Sequence, residues 1–136
     1  WQTMVKRFND FHKLDNIIWV WNGEDVEFYP GDEYVDIISE DIYASQADSS
    51  QQRFVNTAYY FSEGKPNAIS ECGKIPNPDA LYRDNSIWLW FCLWRGDYIA
   101  DKNGNFVETY TKKQEADYAY NSRLFISLDE LPVLRG

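Results

Sequence analysis

The chain has a single histidine, His12, and two cysteines, Cys72 and Cys92. One histidine gives a Ser-His-Asp triad or a histidine-rich metal centre little to work with. The cysteines lack C-x-x-C spacing and have no histidine beside them, which argues against a zinc site. Both lie in apolar, strand-like runs and read as free buried thiols. His12 falls near a helix end, where capping or exposure is the expected role. No run of about 18 apolar residues occurs, so nothing has the length of a membrane-spanning helix. Basic residues are scarce too: 13 Lys and Arg face 22 Asp and Glu, for a net charge of −9. A phosphate backbone or an anionic lipid surface meets repulsion, which disfavours nucleic acid and membrane as partners. The opening Trp1-Gln2-Thr3-Met4 is not a basic segment followed by an apolar one, so no signal peptide is expected in the chain as given.

Aromatic residues are abundant. They make up 18% of the chain, with 6 Trp, 10 Tyr and 8 Phe. Two uses stay open for them: a tryptophan-rich core, or a surface of flat rings suited to the apolar faces of sugars. At 136 residues, 44% hydrophobic and 26% charged, the chain reads as one globular domain.

Met4, Val5, Phe8, Phe11 and Leu14 recur at three- and four-residue steps, which predicts a helix over residues 1–14. Ile17-Ile18-Trp19-Val20-Trp21 is an apolar run of strand length, stopped by Asn22-Gly23. Further strands are expected over 35–43, 67–72 and 86–94, and further helices over 48–63, near 79–84 and around 108–118. The strands are apolar with little alternation, as in parallel sheets buried on both faces. The expected fold is α/β, about four parallel strands separated by helices or long loops.

Side chains alternate along a strand. That alternation places Ser39, Asp41 and Tyr43 on one face, Asn67, Ile69 and Glu71 on one face, and Trp88, Trp90, Cys92 and Trp94 on another. With the strand ends aligned, Tyr43, Glu71 and Trp94 meet at one rim. A carboxylate, a phenol and an indole there are the parts of a sugar-cleaving subsite. The carboxylate attacks the anomeric carbon, the phenol hydrogen-bonds and orients it, and the indole carries a sugar ring. The plainer readings are a surface salt bridge for Glu71, rim packing for Tyr43 and core packing for Trp94.

Several blocks carry a resemblance. Trp19-Val20-Trp21-Asn22, Tyr29-Pro30-Gly31-Asp32-Glu33-Tyr34-Val35-Asp36-Ile37-Ile38 and Asp41-Ile42-Tyr43 resemble glycoside hydrolase family 26, the β-mannanase family. Lys65-Pro66-Asn67-Ala68-Ile69-Ser70-Glu71-Cys72-Gly73 is similar to that family's nucleophile strand, and Trp90-Phe91-Cys92-Leu93-Trp94 to its last strand. Ser127-Leu128-Asp129-Glu130-Leu131-Pro132 resembles its C-terminal end. The similarity runs in order over nearly the whole chain.

The resemblance implies a (β/α)8 barrel and a retaining double displacement on β-mannan or a related polysaccharide. It implies Glu71 as nucleophile, Tyr43 as its orienting partner and Trp94 as a sugar-stacking platform. Trp21, Asn22 and Asp41 are implied as cleft residues. It implies no cofactor and no metal, and suggests a secreted or extracellular setting. The family's acid/base motif, a His-Glu pair followed shortly by Asn-Gly, has no counterpart, since Lys13 follows His12. A complete barrel of this kind typically takes about 250 residues. The expectation is therefore one half-barrel domain over 1–136, (β/α)4-like and similar to strands five to eight. Such a chain is poorly active alone. It pairs as a homodimer or with a missing N-terminal half-barrel, because exposed strand edges invite pairing. Two alternatives are a non-catalytic carbohydrate-binding or self-assembling half-barrel module, and a purely structural fragment.

Overall fold

The computed structural model describes residues 1–23, 25–43, 54 and 64–132. Helix α1, Gln2–Lys6, opens the chain and continues as a wider turn over Arg7–Phe11. Lys13, at φ 56°, adopts the left-handed conformation just beyond it and ends the expected 1–14 helix early. His12 is exposed at that end. Its N–H donates to the Arg7 carbonyl at 3.1 Å, so the capping is done by its backbone.

Four strands follow: β1, Val20–Trp21; β2, Ile37–Ile42; β3, Asn67–Cys72; and β4, Phe91–Leu93. They form one sheet in the order β1-β2-β3-β4. Every neighbouring pair is parallel, as the unbroken apolar runs predict. The edge strands are shorter than the sequence suggests. The β1 region is extended by one residue through Trp19, whose carbonyl accepts from the Asp36 and Ile37 N–H groups at 2.8 and 3.2 Å. The helix expected over 48–63 lies outside the described residues, apart from Phe54.

Helix α2, Pro78–Arg83, starts with proline in its first turn. The Asn77 side chain caps it by accepting the Ala80 N–H at 3.0 Å. Helix α3, Lys113–Tyr120, begins later than the pattern around 108–118 suggests. Its start is fixed by Glu115, whose carboxylate accepts the Lys112 N–H at 2.8 Å.

The core has two parts that share β4. Ile42, Ile69 and Cys72 pack together under Trp88, Phe91 and Leu93. Ile75, Ala116 and Ala119 pack under Phe91, Leu93 and Phe125, joining α3 to the sheet. Full burial of an aliphatic side chain such as Ile42 contributes about 1.5–3 kcal/mol. Burial also pushes the Cys72 thiol up to about 12, so it stays neutral and packs as an apolar group. Cys92 departs from its expected burial and is exposed. Phe91 and Leu93 on either side of it face the core, so alternation turns Cys92 to the opposite side of the edge strand.

Ile69 and Cys72 are three residues apart, yet both face the same cluster. Strict alternation would separate them. The register explains it: Glu40 pairs with Ile69 and Asp41 with Glu71, so β3 carries one extra residue. Against β4, Ile69 pairs with Phe91 and Cys72 with Leu93, so two intervening residues stand opposite one. The extra residue turns Glu71 to the face opposite Ile69, correcting the expectation that they share one.

The loop after β3 is tied to the start of α3 by one buried bond, in which the Ile75 N–H donates to Thr111 Oγ1 at 3.1 Å. Thr111→Val keeps the shape and removes the acceptor, leaving the Ile75 N–H orphaned. The expected destabilisation is about 1–3 kcal/mol, measured by urea unfolding.

Candidate active site

The carboxyl ends of β2 and β3 bring the central pair together. Tyr43 directly follows β2, and Glu71 is the penultimate residue of β3. Tyr43 Oη donates to Glu71 Oε2 at 2.6 Å, a short bond of the charge-assisted kind. The bond to Glu71 is the largest cause of a phenol raised above its ordinary value, followed by burial and the negative charges of Glu71 and Asp41. A raised phenol stays protonated, and so stays a donor, below the ordinary tyrosine value of about 10. The contact is lost only as pH rises through the phenol's own higher value.

Glu71 pairs in register with Asp41, so two carboxylates lie side by side on neighbouring strands. Asp41 Oδ1 accepts from the Asn22 side-chain amide at 3.0 Å, linking the β1 end to the β2 end. A hydroxyl chain runs alongside. Ser70 Oγ donates to Ser39 Oγ at 2.7 Å, and buried Ser39 donates to the Trp21 carbonyl at 3.2 Å. Three strand ends are thus cross-linked beneath the carboxylates.

The tryptophans differ in their surroundings. Trp21 packs edge-on against Trp1 at 5.4 Å and Tyr29 at 6.3 Å. Its ring lies over Gly23, where an added Cβ would fall 2.0 Å from Trp21 Cζ2. Trp19 meets Trp1 and Phe8 in the same way. Trp94 follows β4 at its carboxyl end and donates its N–H to the Cys72 carbonyl at 2.9 Å. Its side chain is 44% exposed beside the rim that holds Glu71.

Sequence reading missed one group. Tyr98 stands edge-on to Tyr43 at 5.5 Å and stacks on Tyr110 at 4.5 Å, with an interplanar angle of 17°. Tyr98 sits in a single 3-10 turn, Gly96–Tyr98, and Tyr110 outside any helix or strand. Loop residues carry no periodicity to mark them. The available signal was Gly73, a glycine directly after the Glu71 strand. Among the described residues no group of three or more His, Cys, Asp and Glu side chains is arranged to hold a metal ion. None of the described helices is long and apolar enough to cross a membrane.

Comparison with known proteins gives the family of the chain. A mannan endo-1,4-beta-mannosidase of Thermothelomyces thermophilus is 32% identical over 128 residues, 94% of this chain but 25% of that protein. Mannan endo-1,4-beta-mannosidase B of a Piromyces species is 32% identical over 133 residues, 97% of this chain and 22% of its own length. The chain thus spans about a quarter of the length of these curated relatives. Among solved structures, the Podospora anserina GH26-CBM35 β-(1,4)-mannanase superposes with a TM-score of 0.82 at 32% identity, over 96% of this chain and 28% of that one. A β-mannanase from a symbiotic protist of the termite Reticulitermes speratus, solved with gluco-manno-oligosaccharide, gives 0.80 at 31% identity, over 97% and 40%. A four-stranded parallel sheet that covers only part of these enzymes is the fold of a half barrel. The sequence profile of glycosyl hydrolase family 26 matches residues 1–122, and the chain belongs to that family.

Proposed function

We propose that this chain is the nucleophile-bearing part of a retaining β-mannanase, a half-barrel unit corresponding to strands five to eight. The observation that carries this reading is the 2.6 Å bond from Tyr43 to Glu71 at the carboxyl end of a parallel sheet. Active sites of such barrels sit on that face. The bond occupies Oε2 and leaves attack on an anomeric carbon to Oε1. Trp94 is the stacking platform, and Asn22, Asp41 and Trp21 line the near side of the cleft. β-Mannan or a related glucomannan is the substrate class, and no cofactor takes part.

The second carboxyl group is supplied from elsewhere. Retention requires an acid/base that flanks the scissile bond about 5–5.5 Å from the nucleophile. Asp41 stands beside Glu71 in the same sheet and not across a cleft from it. The family's His-Glu motif has no match in the sequence. The chain alone therefore attacks but does not protonate a leaving group, and general acid assistance is worth about 10²–10⁴-fold.

Pairing completes the unit. On the β1 side, Phe11 and Ile18 are 70% and 69% exposed. On the β4 side, among α2, α3 and the segment after it, an apolar groove of about 510 Å³ is lined by Leu81, Ile87, Leu89, Tyr120, Leu124 and Ile126. Exposed apolar side chains on both sides of an open sheet favour a second half barrel, from another copy or from an N-terminal half. The family setting favours a secreted protein. The alternative, a non-catalytic carbohydrate-binding or self-assembling module, rests on the same open edges.

Three measurements test these statements. A fluorinated β-mannosyl fluoride needs no acid: its C–F bond breaks, fluoride leaves with the electron pair, and Glu71 Oε1 forms the glycosyl ester. Intact mass spectrometry is expected to show one sugar adduct on the chain and none on Glu71→Gln, with mannan left uncleaved. Binding without an adduct would instead support the non-catalytic module. Tyr43→Phe loses a hydrogen bond to a charged group, worth about 1.5–3 kcal/mol, and is expected to slow labelling about 10–100-fold. Light scattering should give a mass above the 16.1 kDa of one chain. A single-chain mass at every concentration would rule out self-pairing.

A further inference from the structure

We infer that Gly73, Tyr98 and Tyr110 form a wall that sets the position of the Tyr43 ring, and through it the orientation of Glu71. This deepens the proposed function and rests on that reading of Glu71.

The glycine comes first. Gly73 is absent from the glycines with positive φ, so its backbone is open to any L residue. What it supplies is room. A Cβ there would stand 3.0 Å from Tyr43 Cδ1, 3.0 Å from Tyr98 Cε1 and 3.2 Å from Tyr98 Cδ1. Two tyrosine rings therefore rest on one Cα. Gly73 is also buried, and its N–H donates to the Ile42 carbonyl at 3.1 Å, so the floor beneath the rings is pinned to the sheet.

The rings come next. Tyr98 meets Tyr43 edge-on, at 68° and 5.5 Å. Edge-to-face pairs of this kind are directional. Tyr98 is in turn backed by Tyr110, stacked at 4.5 Å and 17°. The turn that carries Tyr98 begins at Gly96, whose φ of 71° is left-handed, and is closed by the Ile99 and Ala100 N–H groups, both donating to the Gly96 carbonyl at 2.9 Å. The turn residues thus hold Tyr98 in place independently of the sheet.

The consequence is positional. Tyr43 lies beyond the last ladder residue of β2, where the sheet no longer fixes its side chain. A phenol reaching a carboxylate at 2.6 Å tolerates little swing of its ring. Floor and wall remove that swing. Tyr98 and Tyr110 act through the Tyr43 ring; they are positioning residues.

The test follows the Tyr43 phenol itself. Tyrosine labelled with ¹³C at Cζ is titrated by NMR in the 136-residue protein, with Tyr43→Phe identifying the Tyr43 signal. In the unaltered protein Tyr43 ionises above the ordinary tyrosine value. Tyr98→Leu and Gly73→Ala are expected to lower its midpoint by about one unit or more, toward about 10, as the bond to Glu71 is lost. Tyr98→Phe keeps the ring and restores the high midpoint. Tyr110→Ala, a change at a 40% exposed side chain, guards against misfolding of the other variants and shifts the midpoint the same way by less. A merely structural role would lower the melting temperature and leave the Tyr43 titration in place. An unmoved Tyr43 midpoint in folded Tyr98→Leu or Tyr110→Ala overturns the inference. Absence of a sugar adduct on Glu71 overturns the proposed function instead, so the two failures are separable.

Discussion

One extra residue in β3 governs the site. Ile69 and Cys72 both have to fill the cluster with Ile42, because their removal from water is a main source of stability on that side of the sheet. A regular strand sends residues three apart to opposite faces. The inserted residue between the two ladder positions resolves the conflict. It also frees Glu71 to leave the core face and meet Tyr43. Core packing and site geometry are thus one constraint, and a β3 that kept Ser70 yet paired in unbroken register would turn either Cys72 or Glu71 the wrong way.

The hydroxyl chain follows from the same place. Ser70 is the residue skipped by the register, and it donates to Ser39, which donates to the Trp21 carbonyl. A hydroxyl inside a sheet is costly unless bonded. Here each hydroxyl uses the next strand, so the distortion in β3 is carried across to β1. The Asn22 to Asp41 bond lies at the same end of the sheet. The carboxylate pair therefore rests on a surface whose strand ends are held by side chains as well as by the backbone ladder.

What the sequence made legible was whatever repeats or stands alone. The β3 span over 67–72 and the parallel order show in apolar runs bounded by glycine and proline. The pairing of Tyr43 with Glu71 is readable from their places at strand ends and from family resemblance. The β3 irregularity was not, because a single inserted residue leaves composition and turn signals unchanged. Strict alternation consequently placed Ile69 with Glu71. Cys92 was misread for a related reason: its run is apolar, but edge strands keep one face uncovered, and apolar character alone does not say which. Tyr98 was invisible because its role depends on a loop returning to a glycine twenty-five positions earlier in the chain.

The choice of a phenol as Glu71's partner has its own logic. A lysine or arginine at that distance would orient the carboxylate and also neutralise its charge. A neutral phenol orients through one directional bond and leaves the net charge of the pair at minus one. The cost is weaker hold, because a neutral donor lacks the long-range attraction of a cation. Packing must then supply what charge does not. That is why the ring of Tyr43 is confined by a glycine floor and an edge-on tyrosine, and why an enzyme built on this pair would be sensitive to residues that touch no substrate. The neighbouring Asp41 adds to the same economy: its negative charge opposes ionisation of the phenol and so preserves the donor that Glu71 depends on.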